Sequence, residues 1–170
     1  LDFTTKILGL QGIEVIQTNV NNGIFTVFAK PAYISGICPK CGSFTDTVHD
    51  VRVQCYEHLP IWGTDTLLVL PIFRLQCICD PEHPFDLSYD FIRKYQRQTI
   101  PYKIYICRLC RDNSIENVSL FTGLSHGKCQ SIFNHYAQLE IDGRAPVETE
   151  YLGIDDFAVK KGHDYNTAIY

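Results

Sequence analysis

The sequence predicts an α+β fold, in which a β-rich zinc-binding half is followed by helices. Three observations carry this prediction. Cys38 and Cys41 form a pair, and a second cysteine group follows from Cys77 onwards. Strand-like apolar runs fill the chain up to this second group, and helical periodicity replaces them after Phe85. The predicted organisation is a zinc-binding domain over residues 1–90, a helical domain over 91–140, a linker over 141–149 and the start of a further domain over 150–170.

The two cysteine groups have the form of zinc knuckles. In Cys38-x-x-Cys41 the intervening proline limits the backbone, and the glycine that follows permits a positive φ. The second group offers three candidates for two places: Cys77, which ends an apolar run, is the first choice, while Cys79 and His83 compete for the fourth position. Residues 42–76 separate the groups, more than the roughly 15–20 residues of compact zinc ribbons, so this insert must form strands. The alternative is a set of buried reduced cysteines with no metal.

The composition limits the classes of protein to which this chain can belong. The chain has 170 residues, of which 45% are hydrophobic, enough for one domain or two small ones. It has no run of 18 apolar residues and no signal-peptide pattern, which predicts a cytoplasmic protein with no membrane partner. Thiols stay reduced there, so the eight cysteines indicate metal ligands and buried thiols. The absence of Met predicts a fragment or a processed product.

The zinc-binding half is expected to contain a hairpin and two longer strands. Residues 13–30 place β-branched and aromatic runs on either side of an Asn-Asn-Gly turn, which predicts a β-hairpin. Residues 45–56 and 64–75 predict strands joined by a turn over residues 57–63. Within that turn, Trp62 is expected to pack against the knuckles or the sheet, and His58 is expected to be solvated or locally hydrogen-bonded.

A helix-turn-helix is predicted after Phe85. One helix ends near Asp112, a second runs over 115–122 with Ser114 as its cap, and a third starts at Ser125. Gly123 supplies the turn between the last two. An ordinary helical hairpin with no DNA role is the alternative. Cysteines 107, 110 and 129 are expected to be core residues.

The charge distribution points to a phosphate-binding surface. The net charge is −4, yet residues 91–138 carry seven Lys and Arg against two acidic residues, and a local patch is sufficient for DNA binding. We expect phosphate contacts from the exposed basic residues and base contacts from the amino-terminal end of the third helix. The predicted DNA-binding residues are Arg93, Lys94, Arg97, Arg108, Ser125, His126, Lys128 and Gln130.

The stretch from Leu152 to Tyr165 resembles the opening of the catalytic domain in the ISL-three family of bacterial insertion-sequence transposases. The order of elements is also similar to that of the family, and the resemblance covers nearly the whole chain. The matching elements are Cys-Pro-x-Cys-Gly at 38–42, Leu-Pro-x-Trp-Gly at 59–63, Arg-x-x-Cys at 74–77, the helix-turn-helix and the catalytic strand.

This resemblance implies a ribonuclease H-like catalytic domain whose Asp, Asp, Glu triad holds two divalent metals, with magnesium as cofactor. Asp155 is the acid that carries over, and Asp156 stands where the family often has Glu. The other two acids would lie beyond Tyr170, so the catalytic domain is expected to be truncated and this chain to bind without cutting.

The implied partner is double-stranded DNA, at the terminal repeats of the element, with a homo-oligomer of the full-length transposase as a further expectation. The rival function is that of a zinc-ribbon, helix-turn-helix transcriptional regulator with no catalytic ancestry. Composition does not separate the two functions.

Overall fold

A computed structural model describes the backbone of residues 3–145, 153–158 and 165–169, and the side chains of 5–145. The predicted mixed α+β architecture is confirmed, because strands dominate up to residue 86 and helices follow. The chain divides into two compact units between Tyr136 and Ala137. In chain order the described elements are α1 (Phe3–Leu8), β1 (Ile13–Asn21), β2 (Ile24–Pro31), β3 (Gly36–Ile37), β4 (Phe44–Thr45), β5 (Val48–Ile61), β6 (Thr64–Cys77), β7 (Asp80–Asp86), α2 (Ile100–Asp112), α3 (Ile115–Thr122), α4 (His126–Asp142), β8 (Ile154–Ala158) and β9 (Tyr165–Ile169).

The main sheet has the strand order β1-β2-β6-β5, and β7 also pairs with β6. The predicted β1–β2 hairpin is confirmed, with Asn22 and Gly23 at φ 51° and 74° in the turn. β2 runs parallel to the first half of β6, and β7 runs antiparallel to its second half. β5 is antiparallel to β6 along most of its length. β6 is therefore the central strand, and the second cysteine group lies where it ends.

One face of this sheet carries the first hydrophobic core. The core side chains alternate with outward-facing residues along β2 and β6, as the two-residue period of a strand requires. Residues of α1 and of the segment after β7 cover them. The buried members are Leu8, Leu10, Ile13, Val27, Ala29, Tyr56, Leu68, Leu70, Ile72, Tyr89 and Phe91.

The β5–β6 connection differs from the prediction. A turn was expected over residues 57–63, but β5 continues to Ile61 and the turn consists of Trp62 and Gly63, at φ 51° and 75°. Pro60 is tolerated because β5 is an edge strand and the pairing register shifts between His58 and Ile61. The expected packing of Trp62 is wrong, since its position at the tip of the turn leaves 85% of it exposed.

The three predicted helices are confirmed, together with the predicted cap at Ser114, and Thr99 is a further cap that was not predicted. Thr99, at the start of α2, and Ser114, at the start of α3, each accept a backbone N–H with their side-chain oxygen. Gly123 ends α3 in the left-handed conformation at φ 70°. Ser125 accepts the Lys128 N–H at 3.3 Å and so caps α4. The helices share a second core of Tyr102, Ile106, Cys110, Val118, Cys129 and Ile132.

The sheet and the helices of the first unit are joined through β5. Glu57 donates its N–H to the Arg97 carbonyl and accepts the Thr99 N–H, at 2.8 and 3.0 Å. His58, expected to be solvated, is only 2% exposed. That expectation was wrong because the groups that bury His58 come from distant parts of the chain.

The second unit contains the β8–β9 hairpin, in which Asp155 pairs with Ala168 and Asp156 with Thr167. The strands expected in this region are therefore present, and their place in a ribonuclease H-like sheet remains a prediction. Among the described residues, no helix combines the length and the apolar character needed to cross a bilayer.

Candidate metal centre and helix-turn-helix

Four cysteine sulfurs form a compact cluster at the end of β6. The Sγ atoms of Cys38, Cys41, Cys77 and Cys79 all lie within 4.8 Å of one another. Cys38 and Cys79 are 3.6 Å apart and Cys41 and Cys77 are 3.7 Å apart. A disulfide would need about 2.05 Å. Sulfurs at the corners of a tetrahedron with Zn–S bonds of about 2.3 Å are about 3.8 Å apart, so this cluster has the dimensions of a zinc site.

The first knuckle is a closed loop between β3 and β4. Gly42 donates its N–H to the Cys38 carbonyl at 2.9 Å, and Cys38 donates to the Ser43 carbonyl at 2.8 Å. Gly42 has φ 72°, a conformation that residues with a Cβ rarely adopt. This geometry turns both sulfurs of the Cys-x-x-Cys pair to the same side.

The second knuckle is the tight turn from β6 to β7. Cys77 pairs with Asp80 across this turn, which leaves Ile78 and Cys79 at its tip. The spacing of one residue between Cys77 and Cys79 is thus a consequence of a two-residue hairpin connection. The spacing of the cysteines did not reveal this hairpin, because β7 was not predicted from the sequence.

Side-chain contacts also link the two knuckles. Thr45 donates its hydroxyl to the Gln76 carbonyl at 2.8 Å, and Lys40 forms an ion pair with Asp80 at 2.8 Å. Asp80 also contacts His83, whose Nδ1 atom lies 2.8 Å from the carboxylate. The structure therefore groups Cys79 with the other three sulfurs, and His83 lies outside the cluster as a partner of Asp80.

Backbone and hydroxyl donors prepare the first knuckle to hold negative charge. The N–H groups of Cys41 and Lys40 lower the pKa of Cys38. The side chain of Ser43, followed by its N–H, lowers the pKa of Cys41 to about 6. By contrast, the neighbouring thiols of Cys41 and Cys77 raise the pKa of Cys79. Four thiolates this close repel one another, and a divalent cation at their centre would remove this conflict.

The outward face of α4 is polar. Cys129 and Ile132 point into the second core, so the opposite side of the helix carries His126, Gln130 and Asn134. Gln130 donates its side-chain amide to Asn134 Oδ1 at 2.8 Å. Amide side chains are the ones that recognise adenine edges in the major groove. Asn134 is a candidate that the sequence did not single out, although its spacing of four residues from Gln130 was a usable signal.

The predicted phosphate contacts lie in two places. Arg108 is exposed on α2, and the other three cations are exposed on the connection between β7 and α2. That connection borders a groove of about 940 Å³ whose lining also includes Arg52 of β5. The basic lining of this groove consists of Arg52, Arg93, Lys94 and Arg97.

Tyr95 adds an aromatic ring to the same groove. It is 90% exposed, adopts φ 63°, and carries the Lys94 ammonium 5.1 Å above its ring. A positive φ is uncommon for a residue that has a Cβ. Nothing in the sequence distinguished Tyr95 from the other tyrosines of the chain.

Fold and site together define a zinc-ribbon, helix-turn-helix protein, and comparisons with known proteins agree. Residues 35–79 match the model described as the zinc-finger of transposase IS204/IS1001/IS1096/IS1165. Residues 87–137 match the helix-turn-helix domain of transposase family ISL3. Both segments belong to one family of transposases, and they occur in the order that the sequence predicted.

A curated relative supports the same assignment. The chain is 27% identical over 162 residues to the transposase for insertion sequence element IS1001 from Bordetella parapertussis, a match covering 93% of this chain and 39% of the relative. The chain thus spans about two-fifths of the length of this relative. No solved structure matches the chain. The chain belongs to the ISL3 transposase family, of which it carries the zinc-ribbon and helix-turn-helix region.

Proposed function

We propose that this chain is the DNA-binding amino-terminal part of a transposase that recognises the terminal repeats of its insertion sequence. The observation that carries the proposal is the polar face of α4 on a helix-turn-helix that matches the family model. Residues at the start of α4 would read base edges, with Gln130 and Asn134 as the amide pair. Ser125 and Lys128 would contact the DNA at the same end of the helix.

The cations between β7 and α2 would position the duplex. Arg93, Lys94 and Arg97 are exposed together, and phosphate contacts from such residues fix the register of a protein on DNA without reading its sequence. Arg108, on the exposed side of α2, would add a further phosphate contact. In this proposal the connection positions the protein on the DNA, and α4 recognises the base sequence.

Zinc would be structural. Cys38, Cys41, Cys77 and Cys79 would hold it in a closed tetrahedral site, with His83 outside. Bound zinc would join two knuckles that are also linked by the Thr45 hydroxyl and by the Lys40–Asp80 ion pair. The cysteines would bind as thiolates, which the hydrogen bonds to the first knuckle favour.

In a protein that contains the whole catalytic domain, we propose two-metal DNA strand cleavage and transfer with magnesium. Asp155, on β8, would be one of the metal-binding acids. We retain the division into residues 1–90, 91–140, 141–149 and 150–170 as part of this proposal, together with self-association of the transposase. This chain alone is expected to bind DNA without cutting it.

The test is binding of the chain to a duplex containing a terminal repeat, compared with a scrambled duplex of the same composition. We expect tighter binding to the repeat, and an affinity for both duplexes that falls as salt rises. Equal affinity for the two duplexes at every salt concentration would remove the recognition part of the proposal. The transcriptional regulator is the alternative, and both family models describe transposases instead.

A further inference from the structure

The connection between β7 and α2 contains a loop that is closed at its base. Ile100 donates its N–H to the Phe91 carbonyl at 2.8 Å. At the other end of the loop, Gln96 donates its N–H to the Arg93 carbonyl at 3.2 Å, a hydrogen bond that closes a four-residue turn. Tyr95 is the third residue of this turn, so the fold presents it at the tip of the loop.

Tyr95 occupies a backbone position that glycine favours. Its φ is 63°, and four-residue turns with a positive φ at the third position usually have Gly or Asn there. The left-handed conformation is unfavourable for a residue with a Cβ. Because the residue is 90% exposed, burial of its ring does not offset this cost. A role for the exposed ring itself would account for a tyrosine at this position.

The same loop carries three cations. Arg93, Lys94 and Arg97 are all exposed, and no carboxylate forms an ion pair with them among the side chains that the structure describes. The Lys94 ammonium lies 5.1 Å from the centroid of the Tyr95 ring. All four side chains line the groove of about 940 Å³. The loop therefore presents an aromatic ring together with positive charge.

The rest of the groove does not neutralise these cations. Asp86 is the one acidic residue in the described lining, and its carboxylate already accepts a hydrogen bond from Arg52 at 2.7 Å. The lining also includes Ile37, an exposed apolar residue of β3. Such a combination is complementary to a ligand that has both anionic groups and flat rings. The volume lies within the roughly 300–1,000 Å³ of sites that hold small organic molecules.

These features fit a single strand of nucleic acid better than a duplex. In a duplex the bases are stacked on one another, so their faces are not available to the Tyr95 ring. An unpaired base can stack on an aromatic side chain while the neighbouring phosphates contact Lys and Arg residues, and this is how single strands are bound without reading their sequence. The limited volume of the groove also suits a few nucleotides of one strand.

We propose that this groove binds a short stretch of single-stranded DNA, with an unpaired base stacked on Tyr95 and the adjoining phosphates on Arg93, Lys94 and Arg97. The inference rests on the proposed function, which assigns these cations to DNA phosphates, and it deepens that function by naming the form of DNA that the groove holds. Double-stranded repeats would still be recognised through α4. The groove adds a contact that only unpaired DNA can make.

The first test measures binding of a labelled oligothymidine of about 10 nucleotides, a length within the site sizes of single-strand-binding domains. It compares the wild-type chain with Tyr95→Gly, which removes the ring and suits the backbone, and with Tyr95→Phe, which keeps the ring. We expect Tyr95→Gly to bind roughly fivefold to hundredfold more weakly and Tyr95→Phe to stay within about twofold. The loss should be smaller for a blunt terminal-repeat duplex, because its paired bases cannot stack on the ring.

Trp62→Gly is the matched control. Trp62 is also an exposed aromatic residue at a positive φ, 51°, but it lies in the β5–β6 turn and is not part of the described groove lining. Its loss should leave oligothymidine binding unchanged. Equal binding by the wild type and Tyr95→Gly would overturn the proposal, and so would an equal loss in Tyr95→Gly and Trp62→Gly. An oligoglutamate of the same charge that competes as well as unlabelled oligothymidine would also overturn it, since this peptide has no bases.

A second measurement does not depend on any variant. An oligothymidine that carries one 5-iodouracil is irradiated in complex with the wild-type chain, and mass spectrometry identifies the crosslinked residue. We expect a crosslink to Tyr95, and its absence would overturn the proposal. If the chain binds no terminal-repeat duplex while this crosslink forms, the proposed recognition of repeats fails and the single-strand site stands. If the repeat is bound selectively and Tyr95 is not crosslinked, only the single-strand site fails.

Discussion

The Nδ1 atom of His58 lies 2.9 Å from the Thr99 Oγ1 atom, and this contact joins the main sheet to the start of α2. His58 Nε2 lies 3.3 Å from the Leu8 carbonyl, which can only accept, so Nε2 carries the proton. Nδ1 is then an acceptor, and the Thr99 hydroxyl donates to it. The same hydroxyl accepts the Tyr102 N–H, so a neutral histidine supports the cap of α2.

This arrangement predicts a stability that falls on acidification. Burial lowers the pKa of His58 below its unfolded value of about 6.5. Between the two values the unfolded chain binds more protons, so the free energy of unfolding decreases as the pH falls through about 6.5, and the loss ends below the folded pKa. We expect denaturant titrations of His58→Gln to show a smaller loss between pH 7.5 and pH 5 than the wild type.

His49→Gln provides the control for this experiment, because His49 is an exposed residue of the same strand. The His49→Gln variant contains the same cysteine cluster as the wild type and His58→Gln, so any release of zinc by acid affects all three proteins equally. Parallel pH profiles for His58→Gln and the wild type would mean that the titration of His58 does not contribute to stability.

The turn of the helix-turn-helix offers a matched pair of glycines. Gly123 adopts φ 70° at the end of α3, whereas Gly127 lies within α4, and a Cβ would meet no atom within 4 Å at either position. We expect Gly123→Ala to lower the free energy of unfolding by about 1–2 kcal/mol, because of its backbone conformation. Gly127→Ala should raise it by up to about 1 kcal/mol. Thermal denaturation of both variants checks the prediction, and a loss of the same size in both would contradict it.

The metal centre predicts about one zinc per chain, held by Cys79 rather than by His83. Cys79→Ser should lose most of the metal and much of the stability, since structural zinc contributes directly to folding. His83→Ala should keep its zinc, because it removes only an exposed partner of Asp80. Elemental analysis and thermal denaturation decide, with Cys107→Ser as a control that affects only packing. Zinc loss in His83→Ala, with full retention in Cys79→Ser, would reverse the assignment.

Binding measurements should distinguish residues that recognise bases from residues that contact phosphates. Asn134→Ala should reduce the discrimination between repeat and scrambled duplexes by roughly 1–3 kcal/mol, with little change in salt slope, because an amide reads bases without neutralising a phosphate. Arg97→Ala should weaken binding to both duplexes alike and lower the slope by about 0.9. Anisotropy titrations of the two variants over a salt series provide the comparison. A lower salt slope for Asn134→Ala would indicate that Asn134 contacts the phosphate backbone of the DNA instead of the bases.

The catalytic prediction concerns a protein that contains the complete catalytic domain. Asp155→Asn should reduce strand cleavage by orders of magnitude and leave repeat binding within a few-fold, because a hard cation requires the carboxylate charge. Asp156→Asn should have much less effect, since neighbouring residues of a strand point to opposite faces. A cleavage assay on the two single variants tests this. An equal loss of cleavage in both variants, or a loss only in Asp156→Asn, would contradict the assignment of Asp155 as the catalytic acid.

The parts of the fold that sequence reasoning found are those specified by neighbouring residues. The turn at Asn22 and Gly23 requires positive φ at both positions, and the caps at Ser114 and Gly123 satisfy backbone groups within a few residues. The Cys-x-x-Cys knuckle is equally local. Each of these features leaves a signature within a short window of sequence, which is why each could be predicted.

The parts that were missed depend on long-range contacts. His58 is buried by Leu8 and Thr99, each more than 40 residues away along the chain. The parallel pairing of β2 with β6 has no local signature either, since nothing near either strand specifies its neighbour. The choice between Cys79 and His83 depended on the unpredicted strand β7. Likewise, the basic excess of residues 91–138 includes Lys103, whose burial depends on the packed helices around α2.

The length of β6 has a consequence for how the molecule would lie on DNA. Cys77, at one end of the strand, holds the metal cluster, and Thr66, near the other end, pairs with the residue that anchors α2. At about 3.3 Å per residue, these two points are at most about 36 Å apart. One turn of B-DNA measures about 34 Å. Surfaces carried at the two ends of this strand would therefore be separated by at most about one helical repeat of a duplex.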